Sequence, residues 1–351
     1  MDHNDAQVMA DFLSIILIQE KEILFTDEGN RILVMLRKLA TSARVFPQHF
    51  VLKDATYDPM FVAMGSFATV HKGRYRERSV CVKILFDQVD KKECIQELIL
   101  WAHLSHPNIL PFYGIVLDDD SRICMISPWM NNGTLCTYSS KLPQPSRIPL
   151  ISDVIDGLLY LHNLNIVHSD LKGANVLISD QGRALITDFG ISHISTATSR
   201  QEYTTSLIGA SRRWAPPEAF DQDSEVPIRP TKAQDVWSFG CLCYEVLSRK
   251  QPFHQYRQDF RVVSALIRKE IPLRPEPGRH DWDEIGDGMW TLIEDCWSFI
   301  PEDRLTLQDI HDRFSGLNTQ DDRPKIQVEL DFDKIENVLL NVISRSDQNT
   351  T

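Results

Sequence analysis

The chain has 351 residues, 42% of them hydrophobic and 25% charged, with 37 Lys and Arg against 49 Asp and Glu. The apolar content excludes a disordered chain, and 15 glycines without a period exclude a collagen-like polymer. The length allows one large two-lobed domain or two ordinary ones, and the net charge of −12 disfavours broad binding to nucleic acid or to an anionic membrane.

Val8, Phe12, Ile15, Ile16 and Leu24 recur at near-helical spacing, and Ile32, Leu33, Leu36, Leu39 and Ala40 follow a polar break at Asp27-Glu28-Gly29-Asn30. The pattern predicts a helical hairpin with its joint at that break. The stripes Val8/Phe12/Ile15/Ile16 and Ile32/Leu36/Leu39 are too apolar to stay solvated. The hairpin is therefore expected to brace the domain that follows, or to offer a surface to a partner or a second copy. Within it, the apolar run Phe12 to Ile18 is far shorter than the ~20 residues of a membrane span. Asp2 and Asp5 stand where a signal peptide carries positive charge.

From Tyr57 the pattern turns to short β-type runs at 61–62, 69–71, 80–82 and 123–126. After Met130 it is mainly helical. Ile151, Val154, Ile155 and Leu158 make one stripe, 233–248 makes another, and Ile335, Val338, Leu339 and Val342 predict a short helix before a polar tail. Strands first and helices after indicate an α+β domain of two lobes. The odd number of cysteines, without a C-x-x-C pair, fits reduced thiols and a cytoplasmic or nuclear setting.

Several motifs occur in one order: Ala63-Met64-Gly65-Ser66-Phe67-Ala68-Thr69-Val70; Val80-Cys81-Val82-Lys83; Glu97 before His106-Pro107-Asn108; and His168-Ser169-Asp170-Leu171-Lys172-Gly173-Ala174-Asn175. Asp188-Phe189-Gly190, Trp214-Ala215-Pro216-Pro217-Glu218, Asp235-Val236-Trp237-Ser238-Phe239-Gly240 and Pro301-Glu302-Asp303-Arg304 complete the series. In this order they resemble the eukaryotic protein kinase family from about Tyr57 to Leu317, and the ending Lys172-Gly173-Ala174-Asn175 resembles its tyrosine-kinase-like Ser/Thr branch. The resemblance implies a two-lobed kinase fold at 56–318, with a β-rich N-lobe at about 56–130 and a helical C-lobe at about 131–318. A helical extension at 1–55 would precede it, and a tail with one short helix would follow at 319–351.

The implied activity is transfer of the γ-phosphate of Mg-ATP to Ser/Thr hydroxyls of protein substrates in intracellular signalling. Phosphoryl transfer asks for positioning of a charged triphosphate more than for covalent chemistry. Lys83, oriented by Glu97, would hold the α- and β-phosphates. Asp188 and Asn175 would hold Mg²⁺ through oxygen, and Asp170 would accept the proton of the substrate hydroxyl. Lys172 would reach the transferring phosphate, and its presence favours Ser/Thr over Tyr substrates. Ala63, Gly65, Ser66, Ala68, Val70, Cys81 and Leu177 would line the nucleotide, Ser127 would be the gatekeeper, and Pro128 and Met130 would meet the adenine.

Some positions depart from the family pattern. Ala63 and Ala68 stand where glycine is usual, which weakens backbone approach to phosphate. Ser169 replaces the arginine that commonly binds a phosphate on the activation segment, so activity is expected not to need that phosphate. Arg212 and Arg213 are possible substitutes. These departures leave an alternative, a pseudokinase scaffold that binds partners or nucleotide without efficient transfer. The five key polar residues Lys83, Glu97, Asp170, Asn175 and Asp188, all present, favour an enzyme.

Overall fold

The computed structural model describes residues 2–65, 68–86, 91–117, 122–188, 193–194, 212–220, 230–276, 283–317 and 321–324. The expected helix around 335–342, most of the activation segment and the candidate residue Ser66 lie outside them. The chain forms two compact units, one running from the N-terminus to Trp129 and the other from Met130 to Pro324.

The first unit opens with α1 (His3–Gln19) and α2 (Asp27–Ala43). The joint lies at 20–26, earlier than the sequence pattern indicated. Asp27-Glu28-Gly29-Asn30 is instead the first turn of α2, where acidic side chains suit the positive end of the helix dipole. Thr26 caps it by accepting the Gly29 N–H at 3.1 Å. Gly29 must lack a side chain because the Ile23 carbonyl passes directly over its α-carbon.

The buried face of α1 also differs from the expected one. Ala6, Ala10, Leu13 and Leu17 are inside, whereas Val8 and Phe12 are more than half exposed. Small residues allow the closer helix approach, so the alanine–leucine stripe takes the core. Two polar side chains go in with it. Asp11 accepts the Gln48 backbone N–H at 2.7 Å, and the fully buried Ser14 hydroxyl bonds His49 Nε2 at 3.0 Å and His103 Nε2 at 2.8 Å. Buried polar groups that find partners stabilise one arrangement and make alternatives costly.

His103 ends α3 (Lys91–His103), the helix that carries Glu97, and α2 packs along the same helix. The hairpin is thus a brace on α3. Deleting residues 1–50 removes the partners of several buried leucines, each worth about 1.5–3 kcal/mol. The melting temperature is expected to fall by more than ~5 °C, since about 1 kcal/mol moves a domain of this size by 2–4 °C. A truncated protein melting within ~2 °C of the parent in calorimetry would contradict the brace.

The sheet comprises β1 (Thr56–Met64), β2 (Ala68–Tyr75), β3 (Arg78–Leu85), β4 (Gly114–Leu117) and β5 (Ile123–Pro128), antiparallel in the order β1-β2-β3-β5-β4. Pro59 is tolerated because β1 is an edge strand with irregular register there. Period-2 alternation sends Val80, Val82 and Ile84 into a cluster with Leu52, Tyr75, Cys124 and Ile126. Cys81 and Lys83 consequently lie on the opposite face. The strand β4 had no clear sequence signal: four residues starting on a glycine are too short to show alternation.

The second unit is built on α5 (Ile148–Asn163) and α6 (Lys232–Ser248), preceded by the short α4 (Leu135–Ser139). Its other helices are α7 (Asp259–Ile267), α8 (Asp287–Cys296) and α9 (Leu307–Ser315). Both sequence-expected helices appear, and α6 is buried almost all round, with Trp237, Phe239 and Tyr244 fully inside. Two small antiparallel pairs complete it, β6 (Ile166–Val167) with β9 (His193–Ile194) and β7 (Val176–Ile178) with β8 (Ala184–Ile186). Arg323 ties the chain back onto α5, reaching Asp153 Oδ2 at 2.7 Å and the Pro149 carbonyl at 2.8 Å. Among the described residues, no helix is long and apolar enough to cross a membrane.

Candidate active site

In the first unit the pairing register gathers the expected nucleotide residues. Ala63 pairs with Val70, Val70 with Lys83, and Lys83 with Met125, so one row crosses four strands. Directly opposed residues share a face, which puts Ala63, Val70 and Lys83 together. Cys81 pairs with Ser127 one step along the same face. Ala68 is buried, so its methyl is packed, and the Gly65 N–H is spent on the Ala68 carbonyl at 2.8 Å. Trp129 donates its N–H to the Ser79 carbonyl and lies under the Lys72 ammonium at 5.3 Å, a packing role. Cys94 on α3 reports on Lys83 and Glu97: its thiol is pushed up to about 12, chiefly by burial and then by the Glu97 carboxylate, with the Lys83 ammonium opposing them. Both charges therefore act on one buried thiol.

In the second unit the loop after β6 carries Asp170. Its Oδ2 accepts from Lys172 Nζ at 2.8 Å and from Asn175 Nδ2 at 2.9 Å. Asn175 also donates to the Asp170 carbonyl at 2.8 Å. Its amide protons are thus committed, and its Oδ1 accepts no hydrogen bond. Because Val176 pairs with Ile186 and Thr187 N–H donates to the Asn175 carbonyl at 3.0 Å, Asn175 sits at the open end of the β7–β8 hairpin beside Asp188. Asp188 has φ 62 and Ser169 has φ 67, left-handed conformations that cost a non-glycine residue ~1–3 kcal/mol and persist only when neighbours hold them.

The holder of Ser169 is Asp235 at the start of α6. Its fully buried carboxylate accepts the Ser169 N–H at 2.8 Å, the His168 N–H at 2.9 Å and His162 Nε2 at 2.8 Å. His168 Nε2 in turn donates to the Thr187 carbonyl at 3.0 Å, next to Asp188. Glu218 and Arg304 form a bidentate pair at 2.6 and 2.7 Å. Trp101 packs on Phe112 and donates to the Leu110 carbonyl at 2.7 Å. Phe189 of the Asp188-Phe189-Gly190 motif lies outside the described residues.

The chain matches the family model for protein tyrosine and serine/threonine kinases over residues 60–314. It belongs to that kinase family.

Similar proteins include the dual specificity protein kinase shkA of Dictyostelium discoideum, 29% identical over 70% of this chain and 46% of its own length. The serine/threonine-protein kinase CTR1 of Arabidopsis thaliana is 28% identical over 73% of this chain and 31% of its own. The human serine/threonine-protein kinase TNNI3K is 29% identical over 75% of this chain and 32% of its own. This kinase spans less than half the length of these three relatives.

Kinases of this family generally use ATP and Mg²⁺, and the donor set here fits that use. A hard cation takes oxygen ligands, and Mg²⁺ sites typically combine one or two carboxylates with phosphate oxygens. Asn175 Oδ1 and the Asp188 carboxylate are oxygen donors of that kind. Among the described residues no cluster of three or more acidic, His or Cys side chains forms a cage of its own.

Sequence reasoning missed two supports. Glu245 on α6, held above its ordinary carboxylate range by burial, accepts the Gly173 N–H at 3.0 Å and the Trp214 indole N–H at 3.2 Å. It also takes a hydrogen bond from the Cys136 thiol, which burial pushes well up. Gly173 must be glycine, since a Cβ would meet Cys136 Sγ and Glu245 Oε2. The available signal was one carboxylate within the apolar run 236–247, because a buried charge needs partners. The second is Arg213. Its guanidinium is committed to Asp259 at 2.9 Å and to the carbonyls of Pro252, Phe253 and Tyr256, so it does not replace the missing arginine at 169.

Proposed function

We propose that this kinase transfers the γ-phosphate of Mg-ATP to Ser/Thr hydroxyls of protein substrates in intracellular signalling. The observation that carries the reading is the state of Asp170. One carboxylate oxygen is fixed by Lys172 and Asn175, which leaves Oδ1 for a substrate hydroxyl. Lys83, oriented by Glu97, holds the α- and β-phosphates. Asp170 accepts the hydroxyl proton as the oxygen attacks, and Lys172 offsets charge on the transferring group. Asn175 and Asp188 hold Mg²⁺, which supplies neutralisation of phosphate charge when bound. Ala63, Gly65, Ser66, Ala68, Val70, Cys81 and Leu177 line the nucleotide, Ser127 guards the pocket, and the hinge at Pro128 and Met130 meets the adenine. The seven cysteines are all free, which suits a cytoplasmic setting.

The test is purified protein with Mg-ATP and a generic basic protein, followed by identification of the phosphorylated residue type. Phosphoserine and phosphothreonine are expected. Phosphotyrosine alone, or no transfer with nucleotide binding retained, would overturn the Ser/Thr assignment or leave the scaffold role. Asp188→Ala is expected to remove Mg²⁺-dependent ATP binding in calorimetry, and equal affinity in variant and parent would show that Asp188 is not the metal ligand.

Ser169 lacks a guanidinium and, of the two candidate substitutes Arg212 and Arg213, Arg213 is committed elsewhere, so basal activity is expected not to depend on a phosphorylated activation segment. Phosphatase-treated protein is expected to keep most of its rate. A loss beyond ~10-fold, the effect of removing an ordering phosphate–arginine contact, would count against this.

A further inference from the structure

The last turns of α2 and the first turns of α3 flank an open pocket of about 540 Å³ lined by Lys38, Thr41, Ser42, Arg44, Lys92 and Gln96. Among the described lining residues three are cationic and none is acidic or of an apolar type, in a chain whose net charge is −12. The hydroxyls of Thr41 and Ser42 donate to the carbonyls of Arg37 and Leu39, so recognition falls to the three cations and the Gln96 amide. The positive end of the α3 dipole favours an anion there, while the C-terminal end of α2 opposes one by a comparable partial charge. The full charges of Lys38 and Arg44 outweigh that end.

A second observation lies beside the pocket. Arg37, adjacent to Lys38 on α2, has a mostly buried guanidinium whose Nε finds no hydrogen-bond partner. Burial pushes it down to about 10, and no carboxylate among the described residues offsets the charge. A buried cation without an anion is costly, and a ligand bearing several negative charges nearby reduces that cost.

The geometry points to a binding site for a compact multiphosphate group at the α2–α3 junction. The volume is of small-molecule scale. The absence of apolar residue types among the described lining residues disfavours a peptide or an acyl chain, and cations on two walls suit several phosphates rather than one. Arginine and lysine are the side chains for this chemistry, the first as a fork and the second as a point charge. An occupant bridges the N-terminal brace to the helix that carries Glu97. The site stands apart from phosphotransfer, and its binding test does not depend on that activity.

Full-length protein is titrated by calorimetry with inositol hexakisphosphate and, separately, mixed with phosphatidylcholine vesicles with and without phosphatidylinositol bisphosphate. The parent is expected to bind at least one of these polyanions with a dissociation constant below ~10 μM, in the range of specific small-ligand affinities. Binding of the soluble polyanion identifies a free multiphosphate, whereas retention on the phosphoinositide vesicles alone identifies a lipid headgroup. The soluble ligand at saturation should raise the melting temperature by ~3 °C or more. The exposed double variant Lys38→Glu/Arg44→Glu should lose at least ~100-fold in affinity, the effect of two charge-assisted contacts, while its ATP affinity stays unchanged. No binding by the parent in either arm overturns the site. So does undiminished binding by the double variant, which would place the polyanion elsewhere, the nucleotide pocket included.

Discussion

Asp170→Asn is expected to lower the phosphotransfer rate by about 10²–10⁴-fold, the usual contribution of a positioned acid–base group, with ATP affinity nearly unchanged. The variant keeps the side-chain shape, so Lys172 and Asn175 still find an oxygen or a close substitute at 2.8–2.9 Å. What disappears is the negative charge that accepts or orients the substrate hydroxyl proton. Asp170 is proposed to act on that hydroxyl and not on the nucleotide, so the loss falls on kcat. The check is a steady-state assay paired with nucleotide titration. A variant retaining more than about a tenth of the parent rate would remove Asp170 from the chemistry.

Asp235→Ala is expected to destabilise the protein by about 3–5 kcal/mol, the range for taking one partner out of a buried charged network. The carboxylate is fully buried and serves the N–H groups of His168 and Ser169 together with the His162 ring. Alanine leaves all three without an acceptor, and each orphaned group costs about 1–3 kcal/mol, not fully additively. Release of Ser169 from its left-handed conformation also frees the neighbouring Asp170, so the surviving folded fraction should turn over more slowly. Urea unfolding gives the stability and a specific-activity measurement corrected for folded fraction gives the rate. A midpoint equivalent to less than ~1 kcal/mol of loss would mean the loop holds itself without α6.

The readable part of the site is the part written as residue type at short spacing. Asp170, Lys172 and Asn175 lie within one six-residue loop, and the structure joins them by direct hydrogen bonds. Ala63, Val70 and Lys83 were named from the motifs, but that they form one row is set by the pairing register of three strands, which only the structure gives. Glu245 and Arg213 were not legible in this way. Each is defined by what surrounds it after folding: Glu245 by Gly173, Trp214 and Cys136, and Arg213 by Asp259 and three carbonyls.

The sequence by itself determined the family, the succession of a strand-rich part by a helical part, and the candidate residues, because motif order and side-chain periodicity are local properties of the chain. It also showed that residues 1–50 needed a surface to pack on. Only the tertiary structure decided which surface, and with which face. The apolar stripe through Val8 and Phe12 stayed outside, while Ala6, Ala10, Leu13 and Leu17 went in, and Asp11 and Ser14 went with them. Periodicity states that a helix has an apolar side, but the choice among competing sides depends on how closely the neighbour can approach. Here alanines admit the neighbouring elements, and His49 and His103 satisfy the buried Ser14 hydroxyl. Those partners lie 35 and 89 residues away in the chain, a separation over which no local pattern carries information.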